Sequence, residues 1–253
     1  MANCFLSHCR LSGTALKLIA AASMLIDHIG VVLFPEVTAL RIVGRISFPI
    51  FAFMIAEGCI HTRNRLRYFL TVFLLGAGCQ LAYFLYDGSR YLGVLLTFSL
   101  SILLIFALQG LKNILFSEQS SGAERCFAAA GFLAAVGFLA AVGSVYLLNL
   151  LLHIDYGFWG CMLPVSAALL RKPAKNAPAV WEKLDRPAHH VLLLGLCLLM
   201  LAYSLKDYQI WSMLALPLLL LYSGKRGKWD LKYFFYIFYP LHLAILEGIT
   251  ILT

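Results

Sequence analysis

Two ionisable residues, Asp27 and His28, lie side by side in the first long apolar stretch of the chain. Ionised groups are costly in an apolar environment, so residues of this kind mark candidate functional sites. Histidine is a common general base, and a nearby carboxylate can orient an imidazole and raise its basicity. Neighbours on a helix point about 100° apart, so the two side chains need not touch. Asp27 could instead pair with Arg41 or Arg45, and the sequence leaves both interpretations open.

Lys17 precedes His28 by eleven residues, a spacing that brings both side chains to one face of an α-helix. They would lie about 16 Å apart along the helix axis. This geometry suits an elongated anionic ligand with its phosphate end at Lys17 and its reactive end at His28. The alternative is that Lys17 only reaches the lipid headgroups and that His28 is a hydrogen-bonded packing residue.

The second apolar stretch carries two pairs of ionisable residues, each spaced by one helical turn: Arg41 with Arg45, and Glu57 with His61. Two arginines on one face form a suitable anion clamp. Glu57 could serve as a structural partner for an arginine on another helix. Pro49 lies between the two pairs and predicts a kink in the helix.

The last apolar stretch places Tyr239 and His242 on one helix face, because they are three residues apart. A belt of aromatic residues at the membrane interface explains the tyrosine. It does not explain His242, which lies well inside the stretch.

These residues stand out because the rest of the chain is unusually apolar. Of its 253 residues, 62% are hydrophobic and 13% are charged, and the mean hydropathy is +0.86. An ordinary soluble domain has about half apolar and about a quarter charged residues. The composition excludes a soluble enzyme, a disulfide-rich secreted scaffold and a disordered chain, and it predicts a polytopic membrane protein. The seven cysteines form no C-x-x-C pair, and we expect no metal site.

Apolar runs separated by charged and turn residues predict an all-α bundle in one domain over residues 1–253, with about nine membrane-spanning helices and eight or ten as alternatives. The predicted spans are Ala15–Phe34, Leu40–Ile60, Tyr68–Tyr86, Leu92–Leu111, Phe127–His153, Tyr156–Leu170, Val191–Leu205, Tyr208–Tyr222 and Tyr233–Leu252. Only Lys206 and Asp207 separate the seventh and eighth, which could form a tight hairpin or be partly re-entrant.

The basic residues predict the orientation of these helices. Sixteen of the 20 lysine and arginine residues fall on one side of the predicted bundle. Basic loops favour the cytoplasm, so we expect the N-terminus inside and the C-terminus outside. The net charge of +8 then indicates contact with anionic lipid of the bilayer and not with nucleic acid.

Four segments, in the same order, resemble the TraX family of integral membrane proteins. They are LKLIAAASMLIDHIGVVLFP, LRIVGRISFPIFAFMIAEGCIHTRN, IDYGFWG and KYFFYIFYPLHL. The best-known activity of this family is N-terminal acetylation of conjugative pilin, so the resemblance implies an acetyltransferase of the bacterial cytoplasmic (inner) membrane. The chain is also distantly similar to the acyltransferase-3 group, which uses cytoplasmic acyl-CoA and carries an Arg and a His on its first helix with ten residues between them. Lys17 stands where that arginine would be, and lysine lacks the two parallel N–H donors with which arginine binds a phosphate.

The resemblance implies transfer of an acetyl group from acetyl-CoA to an amine or hydroxyl of a peptide, a glycan or a lipid headgroup. His28 would be the general base, oriented or charged by Asp27, and an acetylated His28 intermediate stays open. Arg41 and Arg45 could stabilise the oxyanion or hold an anionic acceptor. The expected catalytic residues are His28, Asp27, Arg45, His242 and Tyr239. The expected donor-binding residues are Lys17, Arg41, Arg63, Arg65, Glu57 and His61.

Two other classes of protein remain open. A proton-coupled transporter could use Asp27, Glu57 and His242 as a relay, although no halves with matching broken helices are visible. A non-catalytic assembly factor could hold a partner helix through the small-residue face of Gly131–Gly143, where the motif GFLAAV occurs twice.

Overall fold

The computed structural model describes residues 10–116, 124–173, 177–229 and 231–252. Within these ranges the regular structure is eleven α-helices and one 3₁₀ helix, with two isolated backbone bridges. The all-α class is therefore confirmed for the described residues. In chain order the α-helices are α1 (Gly13–Val32), α2 (Thr38–Gly44), α3 (Ser47–His61), α4 (Arg65–Asp87), α5 (Val94–Leu115), α6 (Glu124–Leu151), α7 (Gly157–Ala168), α8 (Val180–Leu184), α9 (Pro187–Leu205), α10 (Ala215–Leu220) and α11 (Lys232–Leu252). The 3₁₀ helix, Asp207–Leu214, lies between α9 and α10.

Within the described ranges, six helical stretches are long and apolar enough to cross a membrane. They are Gly13–Val32, Thr38–His61, Arg65–Asp87, Val94–Leu115, Ala128–Leu151 and Pro187–Leu205. Each corresponds to a predicted span, and the second comprises α2 and α3 together. Helix α7 and the Tyr233–Ile249 part of α11 are apolar but shorter. These helices indicate a membrane protein.

The stretch predicted as a span over Tyr208–Tyr222 is not one continuous α-helix. Lys206 and Asp207 have positive φ angles of 57° and 48°, and they mark the end of α9. The chain continues as the 3₁₀ helix and then as the short α10. Pro217, in the first turn of α10, has no N–H to donate to the carbonyl of Met213, so one backbone bond of a continuous α-helix is missing between the two elements. Neither element alone has the roughly 20 residues that cross a bilayer.

The kink predicted at Pro49 is present as a break between α2 and α3. Helix α2 ends at Gly44 and α3 begins at Ser47, which places Pro49 in the first turn of α3. Proline is tolerated in a first turn, but it cannot donate to the carbonyl of Arg45, so the helix is interrupted there.

The chain forms two compact units, of which the first comprises Met1–Met54 and Leu198–Thr253. In this unit α1 packs against α2 and α11, and α2 packs against the 3₁₀ helix. The buried Ser23 on α1 donates a hydrogen bond to the carbonyl of Val43 (2.6 Å), which fixes the end of α2 against α1.

The second unit comprises Ile55–Cys197, with α5 in contact with α4, α6 and α7. The buried Lys112 on α5 donates from Nζ to the backbone carbonyls of Ala168 (3.1 Å), Leu169 (2.6 Å) and Arg171 (3.1 Å). Carbonyls at the end of a helix have no partner further along it, so the lysine caps α7.

The GFLAAV repeat, expected to pack closely against another helix, lies on α6. A Cβ atom added at Gly131 would come within 2.9 Å of Cδ2 of Leu115, so the first repeat approaches the end of α5 closely. Cβ atoms added at Gly137 and Gly143 would meet nothing within 4 Å. Close packing is therefore confirmed at the first glycine and not at the other two.

Candidate functional site

Asp27 on α1 is bound by two arginines at the end of α2. Its Oδ2 atom lies 2.9 Å from Nη1 of Arg41 and 2.7 Å from Nη2 of Arg45. Its Oδ1 atom accepts a further hydrogen bond from Nη2 of Arg45 (2.8 Å). The exposed fractions of the three side chains are 13% for Asp27, 27% for Arg41 and 14% for Arg45. The sequence left open whether Asp27 contacts His28 or an arginine, and in the structure Asp27 contacts both arginines.

The local sequence explains this close contact. Arg41 and Arg45 are one turn apart, so both side chains reach the same carboxylate. Gly44 faces Asp27, and a Cβ atom at this position would overlap the aspartate side chain. Helices α1 and α2 can therefore approach closely only because residue 44 has no side chain.

The centre formed by Asp27, Arg41 and Arg45 has one positive charge in excess. Arg45 also donates from Nε to the carbonyl of Arg41 (3.4 Å) and from Nη1 to Oε1 of Gln209 (3.5 Å). A guanidinium group only donates, so it holds the oxygen of the Gln209 amide and leaves the amide N–H groups for another partner. Gln209 is 4% exposed, and its Nε2 atom has no hydrogen-bond partner among the described residues. Excess positive charge and a buried donor together suit an oxygen-bearing, anionic ligand.

His28 on α1 contacts His242 on α11. Nε2 of His242 lies 3.3 Å from Nδ1 of His28, and the two rings meet edge to face with centroids 4.9 Å apart. Nδ1 of His28 also lies 2.9 Å from the carbonyl of Met24, and Nδ1 of His242 lies 2.7 Å from the carbonyl of Phe238. Each imidazole is thus attached to its own helix and to the other ring.

The two carbonyls determine which ring nitrogens carry protons. A carbonyl only accepts, so each Nδ1 carries the hydrogen and each neutral imidazole has its lone pair on Nε2. Nε2 of His242 can then accept from the Nδ1–H of His28, and this hydrogen is shared with the carbonyl of Met24. Nε2 of His28 has no hydrogen-bond partner among the described residues. This is the arrangement of a general base with an acceptor behind it.

Asp27 makes no hydrogen bond to His28 in the part of the chain that the structure describes. The orienting contacts that we expected from Asp27 come instead from His242 and from the carbonyl of Met24. The carboxylate oxygens of Asp27 face the two arginines instead.

Lys17 and His28 share a face of α1, as their spacing predicts, and in the structure both contact α11. Nζ of Lys17 lies 5.9 Å from the centre of the Phe235 ring, while His28 contacts His242 two turns further along α11. The ring of Tyr239 lies 6.0 Å from that of His242, so these two residues share a face as expected.

The other predicted donor-binding residues belong to the second unit. Glu57 is buried and forms an ion pair with Arg171, so its predicted pairing with an arginine is confirmed, although Arg171 follows α7 and is not part of a helix. His61 is 68% exposed, and its Nε2 atom lies 3.6 Å from Oε2 of Glu57. Arg63 and Arg65 are exposed.

A polar network in the second unit was not expected from the sequence. Asp185 accepts a hydrogen bond from the backbone N–H of Lys172 (2.9 Å), and its Oδ1 lies 2.7 Å from Nε2 of the fully buried His190 and 3.5 Å from Nη1 of Arg171. Partial burial raises the pKa of the Asp185 carboxyl, but these hydrogen bonds and the charge of Arg171 outweigh it and hold the pKa below its usual value.

Gln209, His190 and Lys112 are among the buried polar residues that the sequence did not predict. Each lies near one end of an apolar run, where a polar side chain is ordinarily assigned to the solvent. The only available signal was the Asp185–His190 spacing at the start of α9.

Comparison with known proteins places this chain in a family. A family model described as TraX protein matches residues 12–250. The chain is 26% identical over 260 residues to a protein of Dichelobacter nodosus named "Probable fimbrial assembly protein FimC, serogroup H1", a match that covers 93% of this chain and 94% of that protein. A shorter match to the uncharacterized protein RP591 of Rickettsia prowazekii is 55% identical over 38 residues and covers 15% of each chain. No solved structure matches. Because the family model matches nearly the whole length, the chain belongs to the TraX family, as its four segments predicted.

Proposed function

We propose that this protein is an acetyltransferase of the bacterial cytoplasmic membrane that moves an acetyl group from acetyl-CoA to an amine or hydroxyl, with His28 as the general base. The observation that carries the proposal is the pair of contacts made by Nδ1 of His28, 2.9 Å from the carbonyl of Met24 and 3.3 Å from Nε2 of His242. Met24 and His242 hold the Nδ1–H, so the neutral ring presents the lone pair of Nε2 to a substrate.

The proposed step is a direct transfer. Nε2 of His28 takes the proton of the acceptor as its nitrogen or oxygen attacks the thioester carbonyl, and the carbon–sulfur bond then breaks. The CoA sulfur leaves with the electron pair of that bond and takes up the proton from His28. The excess positive charge of Arg41 and Arg45 over Asp27 stabilises the oxyanion that forms between these events.

The membrane topology belongs to the same proposal. About nine spans, with the 3₁₀ helix and α10 crossing together as one of them and the N-terminus in the cytoplasm, would place the start of α1 and Lys17 on the side where acetyl-CoA is found. His28 would then lie within the membrane, about 16 Å further along the helix axis.

The acceptor that we favour is a peptide amine. The relative from Dichelobacter nodosus is named a probable fimbrial assembly protein. A protein fibre offers the N-terminal amines of its subunits as acceptors. A glycan or a lipid headgroup would need the same base and the same donor.

The test uses the purified chain in detergent with acetyl-labelled acetyl-CoA and three acceptors: a peptide with a free N-terminus, an amino sugar and phosphatidylethanolamine. We expect label on the peptide amine, and we expect His28→Ala to lower the rate by about a hundredfold or more. His153→Ala, which alters an exposed histidine, is the matched control and should transfer label at the wild-type rate. Equal rates for His28→Ala and wild type would refute the proposed base.

A second candidate function, a non-catalytic assembly factor, is favoured by the name of the same relative. In that case a His28→Ala/His242→Ala variant would support assembly of the surface fibre as well as wild type does. The acetyltransferase proposal expects that variant to yield fibre subunits with unmodified N-termini.

A further inference from the structure

A basic segment that takes no part in the site around Asp27 and His28 covers the N-terminal end of α1. The segment, SGKRGK over residues 223–228, will be called the basic loop. The N–H of Gly13 donates to the carbonyl of Lys225 (2.8 Å), and the N–H of Thr14 donates to the carbonyl of Arg226 (2.9 Å). The hydroxyl of Thr14 donates to the carbonyl of Arg226 as well (2.7 Å). These bonds use the backbone of the loop, and its three basic side chains, Lys225, Arg226 and Lys228, are exposed.

Two glycines give the basic loop a defined shape. Gly224 and Gly227 have φ angles of 70° and 102°, which favour glycine. A Cβ atom at Gly227 would lie 2.9 Å from Oγ of Ser12 and 2.9 Å from Oγ1 of Thr14. The loop therefore follows the helix end at a distance that only glycine allows, and the basic side chains project from a positioned backbone.

The loop concentrates positive charge at this end of α1. Lys225 and Lys228 form no ion pair with any described residue. Lys17 lies one turn along α1 from Thr14 and adds a further basic group on the same helix. Asp230, the acidic residue closest in sequence, lies outside the described residues.

We propose that the basic loop binds the phosphates of the acyl donor, the 3′-phosphate and diphosphate of coenzyme A; this inference rests on the proposed function. Coenzyme A has its phosphates at one end and its thioester at the other, with an extended pantetheine arm between them. Helix α1 leads from the loop past Lys17 to His28, and both residues face α11. The loop is bonded to the start of the helix that carries His28, so binding of the phosphates at the loop would direct the arm along α1 towards Nε2 of His28.

The loop variant Lys225→Ala/Arg226→Ala/Lys228→Ala tests the proposal by binding. It keeps every backbone contact with α1, because the loop is held through its carbonyls. We expect its affinity for CoA to fall about a hundredfold, since one hydrogen bond to a charged group is worth roughly tenfold in affinity. The loop variant and the wild type should bind acetyl-pantetheine, which has no phosphate, with equal affinity. For dephospho-CoA, the loss of affinity in the loop variant should be smaller than the loss for CoA and larger than that for acetyl-pantetheine.

The matched control removes the same charge elsewhere. Arg67→Ala/Lys183→Ala/Arg186→Ala alters three exposed basic residues and should bind CoA as wild type does. Gly227→Ala keeps all the charges but displaces the loop, and we expect it to lose CoA affinity while its thermal unfolding shows a folded protein. Loss of affinity in the control triple variant, or wild-type affinity in the loop variant, would overturn the proposal.

Anionic lipid headgroups offer phosphate chemistry too, so binding is measured in neutral detergent and again with added phosphatidylglycerol. A loop variant that loses only its response to phosphatidylglycerol would assign the loop to lipid and contradict the inference. The outcome for the proposed function is separate. If CoA binds through the loop but no acetyl group is transferred, the acetyltransferase proposal is refuted and the assignment of the loop stands. If transfer requires His28 but not the loop, the assignment of the loop is refuted and the acetyltransferase proposal stands.

Discussion

Nε2 of His242 lies 3.3 Å from Nδ1 of His28, so an imidazole on the last helix takes the place behind the proposed base that a carboxylate takes in a catalytic triad. A neutral histidine is a weaker acceptor than a carboxylate, but it adds no negative charge within the apolar bundle.

The first prediction concerns His242 as a positioning residue. His242→Leu removes the acceptor of the His28 Nδ1–H, so we expect kcat for acetyl transfer to fall roughly a hundredfold with little change in KM for acetyl-CoA. His242→Gln keeps an acceptor oxygen and should restore most of the rate. Steady-state kinetics of the two variants provide the measurement, and equal kcat values for both would exclude an orienting role.

The second prediction concerns the charge balance around Asp27. Asp27→Asn leaves two largely buried guanidinium groups without a carboxylate, which should cost about 3 kcal/mol of folding free energy. Adding Arg45→Met to that variant removes one of the uncompensated charges and should recover part of the loss. Unfolding in an SDS titration measures both. A wild-type unfolding midpoint for Asp27→Asn alone would show that the ion pair does not stabilise the fold.

Gly44 supplies the third prediction. Gly44→Ala places a Cβ atom where the Asp27 side chain lies, so α1 and α2 must separate. We expect a clear loss of thermal stability and of acetyl transfer together. Gly78→Ala on α4 is the control, because a Cβ atom there meets nothing within 4 Å, and helix propensity predicts a gain of up to about 1 kcal/mol. If both variants unfolded at the same temperature, the close approach at Gly44 would not matter for stability.

The fourth prediction concerns Gln209, whose Nε2 donor has no partner among the described residues. Gln209→Glu adds a carboxylate beside Arg45 and neutralises the excess positive charge of the centre. We expect higher thermal stability and slower acetyl transfer, because the charge that stabilises the oxyanion is lost. Gln209→Leu, which is close in size and uncharged, should leave the charge in place. A faster reaction in Gln209→Glu would argue against this electrostatic role.

The fifth prediction is a pH dependence of stability that arises from Asp185. The pKa of this carboxyl is lowered in the folded state, so its contribution is present above the pKa of the unfolded chain and is lost as the pH falls through the folded pKa. The difference in melting temperature between wild type and Asp185→Asn should be largest near neutral pH and shrink under acid conditions. Glu182→Gln alters a carboxylate that is 70% exposed and should show little difference at any pH. A difference for Asp185→Asn that grows as the pH falls would have the wrong sign.

Much of the architecture could be predicted from local patterns. Apolar runs of about 20 residues predicted six of the long helices, and Pro49 predicted the break between α2 and α3. Helical spacing also placed Lys17 and His28 on one face. These features depend on neighbours in the chain, so the order of residues is enough to predict them.

The Tyr208–Tyr222 stretch shows where this reasoning failed. Its composition is apolar enough for a span, but the stretch consists of a 3₁₀ helix and the short α10, and the missing N–H of Pro217 lies at their junction. The positive φ angles of Lys206 and Asp207 separate it from α9. Hydropathy reports transfer into lipid and carries no information about such breaks.

The sequence by itself determined that the chain is an apolar helical protein of the TraX family and which ionisable residues lie inside its apolar stretches. The tertiary structure decided their partners: Asp27 with two arginines, and His28 with His242 from a helix more than 200 residues away. Such pairings depend on which helices pack together and on the space that glycines such as Gly44 leave between them. Spacing along a single helix gives no information on helix packing or on the space between helices. Whether a carboxylate or an imidazole lies behind His28 could therefore be decided only by the tertiary structure.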